Sequence, residues 1–511
     1  MSHAAFAALL GPDHVVTDEA ERRLYAQDVM QWPGAPVPEL VVKPGSAAEV
    51  ASVLQRAAQL GMAVAPRGGG MSYTKGYVPE KAGTVMLDLA RLNRIVEINA
   101  RDLYVMLEPA VTWQQLSDAL KGSGLRPTIH GPISGAVSTV GGALSQNLPG
   151  SMDGVLGLEL VLADGTLVRT GSWAITRARS PFFRTYGPDL TGLFLGDTGA
   201  FAVKTGAVLR LEHVPEGVAF ASFAFDRMID IASAMAEVAH HGLAAKSFGM
   251  DPLKNRTATK VDLAEGARTL VDVARSGRSL VQGIKDAARI AAAGRSAFDD
   301  VKWSLHLTFE GFDQHTADAK KTAAQRICAG RGGREIEPSI PIAMRARPYS
   351  IRGFLGLEGE RWVPVHGVFP NSRVDHVIPQ VEAFFVDRAA ALDAAGIRHS
   401  FLLSINGPQW LVEPMFYWFD EVTPLHKRHL SPKNAERFGV IPANPAARDV
   451  VQTVRTDLRD LFFEMGAVSA QVGKFYNLPG ALEPATYALL TRIKDLLDPD
   501  RRLNPGNLGW R

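Results

Sequence analysis

The first third of the chain alternates short apolar runs with one segment of helical periodicity. Residues 40–42 are apolar, and Pro44-Gly45-Ser46 then marks a turn. Ser46 is followed three positions later by Glu49, which is the pattern of a helix-capping box. Apolar residues then recur at helical spacing at Val50, Val53, Leu54 and Ala57. A second apolar run, residues 62–65, leads directly into three glycines. The pattern therefore predicts a strand, a helix and a strand that ends in a bare backbone loop.

Downstream, the pattern divides the chain into three parts. Residues 84–120 predict three short strands and a helix opened by Thr112, and residues 156–171 predict a hairpin that turns at Asp164-Gly165. After residue 213 the pattern changes: residues 227–300 are alanine-rich with helical periodicity, and from residue 301 strand patterns alternate with helical patterns, as in an antiparallel sheet with helices on one face. The last 55 residues return to short helices and turns. The predicted class is α+β, with parts at 1–213, 214–455 and 456–511.

Composition excludes several classes of protein. The chain has 511 residues, of which 46% are hydrophobic, and 55 Lys and Arg balance 53 Asp and Glu. A nucleic-acid-binding protein would concentrate basic charge, so none is predicted as a partner. The single cysteine, Cys328, excludes an intrachain disulfide and favours a reducing compartment. The start shows no signal-peptide pattern and no run of 18 apolar residues occurs, so we expect a cytoplasmic protein.

Three glycine- and hydroxyl-rich loops carry the candidate binding chemistry. They read PRGGGMS at 66–72, GPISGAVSTVGGALSQN at 131–147 and GDTGAFAVKT at 196–205. Glycine lets a ligand approach the main chain, and successive backbone N–H groups can form a concavity that binds anions. The first loop alone is equally consistent with a tight turn, but three such loops suit a long ligand with a central diphosphate. No G-x-G-x-x-G or G-x-x-x-x-G-K-[ST] pattern occurs, which disfavours a Rossmann site and a P-loop.

The order of four motifs resembles one flavoprotein superfamily. PRGGGMSYTKG, STVGGALSQN, DLTGLFLGDTGAFAVKTGAVLRL and LNPGNLG follow one another as in the vanillyl-alcohol oxidase/p-cresol methylhydroxylase superfamily, which includes D-lactate and glycolate dehydrogenases. The resemblance covers residues 35–213 and the last 20 residues, and the middle matches more loosely. It implies a two-part FAD-binding domain, 1–213 and 456–511, and a cap domain at 214–455 that holds the substrate.

The resemblance also implies which residues bind FAD. The first two loops are expected to hold the diphosphate and line the flavin, with Arg67 as a charge partner of phosphate. The third loop is expected to reach the flavin and adenine ends, and the terminal segment to return to the FAD domain. The implied FAD-binding residues are Arg67, Gly68, Gly69, Gly70, Met71, Ser72, Pro132, Ser138, Thr139, Gly142, Ala143, Gly199, Phe201, Val203 and Asn504.

Two differences from the superfamily bear on how FAD is attached and on whether the site holds a metal. Met71 stands where many members attach the flavin to a histidine, and Ile133 stands where doubly linked members have a cysteine. We therefore predict non-covalent FAD, while attachment through the cap stays open. The regions that carry metal-binding histidines in the hydroxy-acid branch contain no acid–histidine pair here. His426 and His429 are spaced as zinc ligands can be, but a solvated helix end explains them as well. No catalytic metal is predicted.

Candidate catalytic residues lie in the cap and the return segment. His366 is expected within a strand, Glu413 lies beside an aromatic run, and Lys474 and Tyr476 lie where superfamily members place active-site groups. Arg352 is a candidate partner for a carboxylate or phenolate. A core histidine and a solvent-facing arginine are the simpler explanations for His366 and Arg352. Such groups would accept or stabilise the substrate's O–H proton while its carbon faces the flavin.

Aromatic residues of the cap favour a flat substrate, although core packing explains such runs too. They are Trp362, Trp410, Phe416, Tyr417, Trp418 and Phe419. The leading hypothesis is oxidation of a small alcohol, aromatic ones included, or of an alkylphenol, by hydride transfer to flavin N5. One alternative is a metal-independent D-2-hydroxy-acid dehydrogenase, in which an arginine grips the carboxylate. Another is a flavin-binding electron-transfer or non-catalytic protein.

The partners of the chain are less constrained by the sequence. The electron acceptor, whether oxygen, a quinone or a cytochrome, is left open, and we expect a homodimer. The basic, alanine-rich segment at 254–295 is consistent with peripheral membrane contact, although such segments are usually solvated helix faces.

Overall fold

The N-terminal domain is built on two sheets. A computed structural model describes residues 2–148, 152–259, 271, 300–349 and 355–510. The helices of this domain are α1 (Ser2–Leu10), α2 (Glu19–Arg23), α3 (Ala47–Gln59), α4 (Trp113–Leu120), α5 (Val140–Ser145) and α6 (Leu190–Leu193). Its strands are β1 (Val15–Val16), β2 (Leu40–Val42), β3 (Val64–Arg67), β4 (Val85–Asp88), β5 (Ile95–Asn99), β6 (Tyr104–Leu107), β7 (Leu125–Pro127), β8 (Val155–Val161), β9 (Leu167–Arg169) and β10 (Val203–His213).

The first sheet orders its strands β1-β2-β4-β3, with β2, β4 and β3 parallel. Helix α3 connects β2 to β3 and begins where the sequence predicts, because the Ser46 hydroxyl accepts a hydrogen bond from the Glu49 N–H at 3.1 Å. The Glu49 carboxylate reaches back to the Gly45 N–H at 2.7 Å, one residue before the predicted capping partner. This unit places the first glycine loop at the carboxyl end of β3.

The second sheet is antiparallel, with strand order β5-β6-β10-β8-β9, and β7 also pairs with β10. Its hairpin β8–β9 turns at Asp164-Gly165, as the sequence predicts, and Gly165 has a φ of +87° that favours glycine. Strand β10 leaves the third glycine loop and crosses the middle of this sheet. The sheet therefore fixes where that loop lies.

The cap is one antiparallel sheet with helices packed against it. Its strands are β11 (Gly217–Phe225), β12 (Lys246–Met250), β13 (Trp303–Gly311), β14 (Arg334–Ile336), β15 (Arg361–Pro364), β16 (Gly367–Pro370), β17 (Arg398–Asn406) and β18 (Gln409–Trp418). Its helices are α7 (Met228–His240), α8 (Pro252–Thr259), α9 (Gln314–Gly330), α10 (Ser339–Ala346), α11 (Val374–Ala394), α12 (Pro424–Lys427), α13 (Pro432–Phe438) and α14 (Pro445–Glu464). The strands follow the order β14-β11-β13-β12-β17-β18-β15, and β16 also pairs with β18.

Alternation along the strands separates the two faces of the cap sheet. Phe223 and Phe225 of β11 and Leu305 of β13 are buried together with the apolar faces of α7, α9 and α11. The opposite face carries Phe248 and Ile340 in a smaller cluster under α10. The α+β class with an antiparallel cap sheet is confirmed.

The C-terminal segment returns to the N-terminal domain through α15 (Leu478–Ala481) and α16 (Pro484–Leu497). Asn504 donates hydrogen bonds to the carbonyls of Gly76 at 2.9 Å and Thr198 at 2.6 Å, which ties the first and third glycine loops together. The predicted boundary at 455/456 falls inside α14, whose apolar face packs in the cap core. The domain division stays a prediction. No helix among the described residues is long and apolar enough to span a bilayer.

Candidate functional site

A cavity of about 740 Å³ lies between the glycine loops and the cap sheet. Its volume is in the range of ligand-binding pockets. Of the fifteen residues expected to bind FAD, all but two line it: Arg67, Gly68, Gly69, Gly70, Met71, Ser72, Pro132, Ser138, Thr139, Gly142, Ala143, Gly199 and Val203. The cavity continues to the cap, where His366 and Glu413 line it. The structure thus brings the three loops and two candidate catalytic residues to one space.

Glycine is required in the first loop because the first two loops pack closely against each other, which leaves no room for a Cβ. A Cβ on Gly69 would lie 2.2 Å from the carbonyl oxygen of Val137, and one on Gly68 would lie 2.5 Å from Thr139 Oγ1. Gly70 has a φ of +73° and lies against the guanidinium of Arg67. The glycines therefore serve the contact between loops as well as the approach of a ligand.

Arg67 is the cation of the first loop. Its guanidinium lies over the rings of Tyr25 at 4.7 Å and Tyr77 at 5.3 Å, and its buried Nε has no hydrogen-bond partner in the described part of the chain. A buried guanidinium N–H without an acceptor fits an anionic ligand in this cavity. The arrangement therefore fits the diphosphate of FAD.

Lys204, in the third loop, was missed by sequence reasoning. It lines the cavity, and its Nζ donates to the buried Asp197 carboxylate at 2.5 Å. The sequence carries this pair as GDTGAFAVK, with six residues between the charges and no sign that they meet. The third loop is thus held by a buried ion pair at the cavity wall.

Two of the expected FAD residues do not reach the cavity. Phe201 was expected to contact the cofactor, but its ring is buried in the core and stacks on Trp510 at a centroid distance of 5.2 Å. Asn504 does not line the cavity, and it stabilises the loops through its hydrogen bonds to the carbonyls of Gly76 and Thr198. The apolar character of Phe201 explains its place in the core, which the motif alone does not reveal.

Lys474 does not line the cavity. The Lys474 ammonium donates to the Val78 carbonyl behind the first loop, and burial lowers the pKa of Lys474 to about 7. Its expected catalytic role is therefore not supported by its position. Arg352 lies outside the described residues.

His366 sits at a break in a strand, not within one as expected. It lies between β15 and β16, which pair with the same strand β18 on either side of Glu413. His366 Nε2 is 3.0 Å from the Tyr73 hydroxyl and 3.5 Å from Glu413 Oε1. At this break the backbone of His366 is not paired with β18, and its imidazole faces Tyr73, next to the first glycine loop.

Tyr73, directly after the first glycine loop, completes this cluster. Gln471 Nε2 donates to its hydroxyl at 2.6 Å. Burial, with the nearby Glu413 charge, raises the pKa of Tyr73 well above its usual value. Its Ser-Tyr-Thr context is in the sequence, but nothing there shows that it meets the cap.

Tyr476 lies on the other side of the imidazole and does not line the cavity. Its hydroxyl is 3.1 Å from the His366 backbone N and 3.1 Å from His366 Nδ1. Burial raises the pKa of Tyr476 to about 12. Tyr476 therefore contacts the candidate chemistry only through His366.

Arg455 of α14 is a fully buried cation beside this cluster, and sequence reasoning did not identify it. Its Nη2 donates to the carbonyls of Tyr73 and Pro364, both at 3.3 Å, and its guanidinium lies 4.2 Å above the ring of Phe475. Desolvation lowers the pKa of Arg455 to about 10. It stays positive at neutral pH and places a charge near both tyrosines.

The cap end of the cavity has apolar and aromatic walls. Trp362, Phe369 and Trp410 line it, and the Lys254 ammonium lies 3.3 Å from Met415 Sδ. Of the other aromatic residues that were expected near the substrate, Phe416, Tyr417 and Trp418 are core residues and Phe419 is exposed. Only part of the aromatic run is thus available to a ligand.

No group of three or more His, Cys, Asp or Glu side chains that could hold a metal occurs in the described ranges. His426 is buried, with Nδ1 2.8 Å from the Thr423 hydroxyl. The expectation of a metal-free site stays a prediction.

A two-part domain whose glycine loops face an antiparallel cap sheet across one cavity defines a flavin-binding class of fold. Two family profiles match the chain: the FAD binding domain over residues 38–171, and the C-terminal domain of FAD linked oxidases over residues 441–508. The chain thus contains an FAD binding domain and the C-terminal domain of FAD linked oxidases, and its cofactor is FAD.

Curated relatives match over part of their length. The chain is 30% identical to the glycolate oxidase subunit GlcD of Bacillus subtilis over 214 residues, which are 40% of this chain and 43% of that protein. It is 31% identical to the mitochondrial D-lactate dehydrogenase [cytochrome] of Arabidopsis thaliana over 210 residues, 40% of this chain and 36% of that protein. The matches span less than half the length of these relatives.

Solved structures match over the whole chain. A p-cresol methylhydroxylase with substrate bound superposes with a TM-score of 0.74 at 19% identity, covering 100% of this chain and 96% of that one. A 4-ethylphenol oxidase from Gulosibacter chungangensis gives 0.72 at 18% identity, covering 100% and 97%. At these identities the likeness confirms the fold.

Proposed function

We propose that the protein is an FAD-dependent oxidoreductase that oxidises a small alcohol or alkylphenol with a flat, largely apolar body. One observation carries the proposal: a single cavity joins the glycine loops to a cluster of His366, Tyr73 and Glu413 on the cap. Such a cavity can hold a substrate between the cofactor and groups that manage its proton. FAD, when bound, supplies the acceptor for a hydride at its N5.

Glu413 is the proposed general base. It is the single carboxylate among the described residues that line the cavity, and its Oε1 is 3.5 Å from His366 Nε2. A carboxylate so placed can take the proton of a substrate hydroxyl as the substrate carbon is oxidised. Tyr73 and His366 would hold the substrate oxygen by hydrogen bonds and keep water from its place.

The walls support an aromatic or otherwise flat substrate. Trp362, Phe369 and Trp410 present ring surface, which binds flat apolar groups better than small polar ones. The solved structures with this fold include enzymes named for p-cresol and 4-ethylphenol, both alkylphenols. Both observations support the phenol or benzylic-alcohol form of the proposal.

A D-2-hydroxy acid is the second candidate substrate. The relatives named for glycolate and D-lactate support it, and Lys254 at the cap end offers a cation for a carboxylate. Against it, Glu413 would repel a carboxylate nearby, and Arg67, in the first loop, is the single arginine among the described residues that line the cavity. We therefore rank it second.

Anaerobic flavin reduction separates the candidates. Purified FAD-loaded protein is mixed in a stopped-flow instrument with 4-cresol, 4-ethylphenol, vanillyl alcohol, D-lactate or glycolate, and bleaching of the flavin absorbance is followed. The proposal predicts bleaching by a phenolic or benzylic substrate. Bleaching by D-lactate or glycolate alone would favour the second candidate. A coloured protein that no substrate bleaches would favour an electron-transfer or non-catalytic role.

The remaining expectations about partners stay proposals. We propose a homodimer, to be checked by light scattering coupled to size-exclusion chromatography. The acceptor is found by reoxidising reduced protein with oxygen, a soluble quinone or cytochrome c and comparing the rates. The segment expected to contact a membrane, 254–295, lies mostly outside the described residues, so the expectation is tested directly by sedimentation with anionic vesicles.

A further inference from the structure

Tyr476 lies behind His366, and we propose that it is a positioning residue that fixes the His366 tautomer, so that the imidazole acts through Nε2 alone. The inference rests on the proposed function, in which His366 and Glu413 meet the substrate hydroxyl. It replaces the expected role of Tyr476 as a group that touches the substrate. The Tyr476 hydroxyl makes two hydrogen bonds, both with His366.

Both contacts of the Tyr476 hydroxyl are with one residue. The backbone N–H of His366 always donates, so at 3.1 Å it makes Tyr476 Oη an acceptor. The second contact, 3.1 Å to His366 Nδ1, can then use either the phenol proton or an imidazole proton. No other partner of this hydroxyl occurs in the part of the chain that the structure describes.

Satisfying the buried hydroxyl decides between these two arrangements. If Nδ1 carried the proton, Tyr476 Oη would accept twice and its own O–H would be buried without an acceptor. If the phenol donates to Nδ1, the backbone N–H, the phenol and Nδ1 are all satisfied. Neutral His366 then carries its proton on Nε2, towards the Tyr73 hydroxyl at 3.0 Å and Glu413 Oε1 at 3.5 Å.

The surrounding charges are consistent with this arrangement. His366 is faced by Tyr73, directly after the first loop, by Glu413 from β18 and by Tyr476 from the return segment. The buried Arg455 of α14 contacts the Tyr73 carbonyl. Burial raises the pKa of Tyr476 to about 12, so its proton stays on the phenol in the physiological range. His366 Nδ1 therefore accepts the hydrogen bond of the Tyr476 hydroxyl and is not available to another donor.

This assignment gives His366 and Glu413 different roles. His366 donates from Nε2 to oxygen and does not take up the substrate proton, because its second nitrogen is already occupied by the Tyr476 hydroxyl. The proton of the substrate hydroxyl therefore goes to Glu413. Without the Tyr476 hydroxyl, Nδ1 would lose its hydrogen-bond donor, and the Nε2-protonated tautomer of His366 would no longer be selected from this side.

Nitrogen NMR of FAD-loaded, substrate-free protein labelled with ¹⁵N-histidine tests the tautomer directly, with the His366 signal assigned from its loss in His366→Gln. We expect Nδ1 unprotonated and Nε2 protonated in the neutral imidazole of the parent protein. Tyr476→Phe, which keeps the ring but removes the donor to Nδ1, is expected to shift the His366 signals towards a mixture of the two tautomers. Tyr186→Phe, at an exposed tyrosine, is expected to leave the His366 signal unchanged.

Two results would overturn the inference. One is a proton on Nδ1 in the parent protein, a measurement that requires no substitution of Tyr476. The other is an unaltered His366 signal in Tyr476→Phe. Neither depends on turnover, so failure of the proposed function is recognised separately by the absence of flavin bleaching. With a substrate that bleaches the flavin, Tyr476→Phe should slow flavin reduction about tenfold while FAD affinity is unchanged. A reduction rate equal to that of the parent would also count against the inference.

Discussion

Glu413 owes its position to a break between two short strands that share one partner. Strands β15 and β16 both pair with β18, and Glu413 lies opposite the gap between them. The same gap releases the His366 backbone N–H, which donates to Tyr476. A local departure from regular pairing thus creates both the candidate base and its neighbour, as is common beside binding sites.

Replacing Glu413 tests the proposed base. We expect Glu413→Gln to slow anaerobic flavin reduction by about 10²- to 10⁴-fold, because general base catalysis contributes on that order. The amide keeps the size of the side chain, so FAD binding and the visible spectrum should be unchanged. Stopped-flow absorbance measures the rate, and Glu436→Gln, at an exposed glutamate, is the matched control. A loss below threefold would remove Glu413 from the proposed chemistry.

The sequence gives the FAD residues more readily than the catalytic ones, for a physical reason. Binding of a diphosphate by main chain leaves a local signal, clusters of glycine and hydroxyl residues, that can be seen without a fold. Tyr73, Arg455 and Gln471 act through contacts with residues hundreds of positions away. Arg455 looks like an ordinary charged residue of an amphipathic helix, although it is fully buried.

At the scale of secondary-structure elements, the contact between the first two glycine loops shapes the FAD site. The first loop begins at the end of β3 and the second contains α5, and the sequence predicts each of them separately. Their mutual packing, with Gly69 against the Val137 carbonyl, depends on how the two sheets of the domain are placed. The expectation that His366 lies within a strand was wrong for a similar reason, since the apolar alternation of WVPVHGVFP continues across the break.

Adding one methyl group to the first loop tests this contact. In Gly69→Ala the new Cβ would lie 2.2 Å from a backbone oxygen, so one of the loops must move. We expect FAD affinity to fall at least tenfold, about 1.4 kcal/mol, while the far-ultraviolet circular dichroism is retained. Fluorescence titration of apoprotein with FAD gives the dissociation constant.

Gly330→Ala is the matched control for this substitution, because Gly330 ends α9 and a Cβ there would have nothing within 4 Å. Affinity in this variant should equal that of the parent protein. Equal affinity in Gly69→Ala would show that the loop contact does not shape the FAD site.

Over the whole molecule, an ion-pair network holds the cap to the FAD domain. Arg126 of β7 donates two hydrogen bonds to Glu310 of β13, both at 2.8 Å, and Arg345 of α10 donates a third at 2.6 Å. Burial alone would raise the pKa of Glu310, but hydrogen bonds from the two arginines outweigh it and lower the pKa to about 2. The substrate cavity lies between the two bodies that this network joins.

The network predicts the acid sensitivity of the cap interface. Because the folded-state pKa of Glu310 is below its unfolded value of 4.5, the stabilisation is present above about pH 4.5 and is lost as pH falls through about 2. It amounts to about 3 kcal/mol at neutral pH. We expect Glu310→Gln to lower the free energy of unfolding by that amount at pH 7, measured by chemical denaturation. The difference from the parent protein should narrow below pH 4.5, and a pH-independent difference would contradict the assignment.

FAD itself should act as a non-covalent bridge in the holoprotein, because Met71 at the cavity wall offers no nucleophile for the flavin ring. Acid precipitation is expected to leave a yellow supernatant and a colourless pellet. A ligand that binds only the folded state stabilises it by about 4 kcal/mol at a thousand times its dissociation constant, so stripping FAD should lower the melting temperature and adding it back should restore it. Colour retained in the pellet would show a covalent bond, and mass spectrometry of the yellow peptide would then identify the attachment residue in the cap.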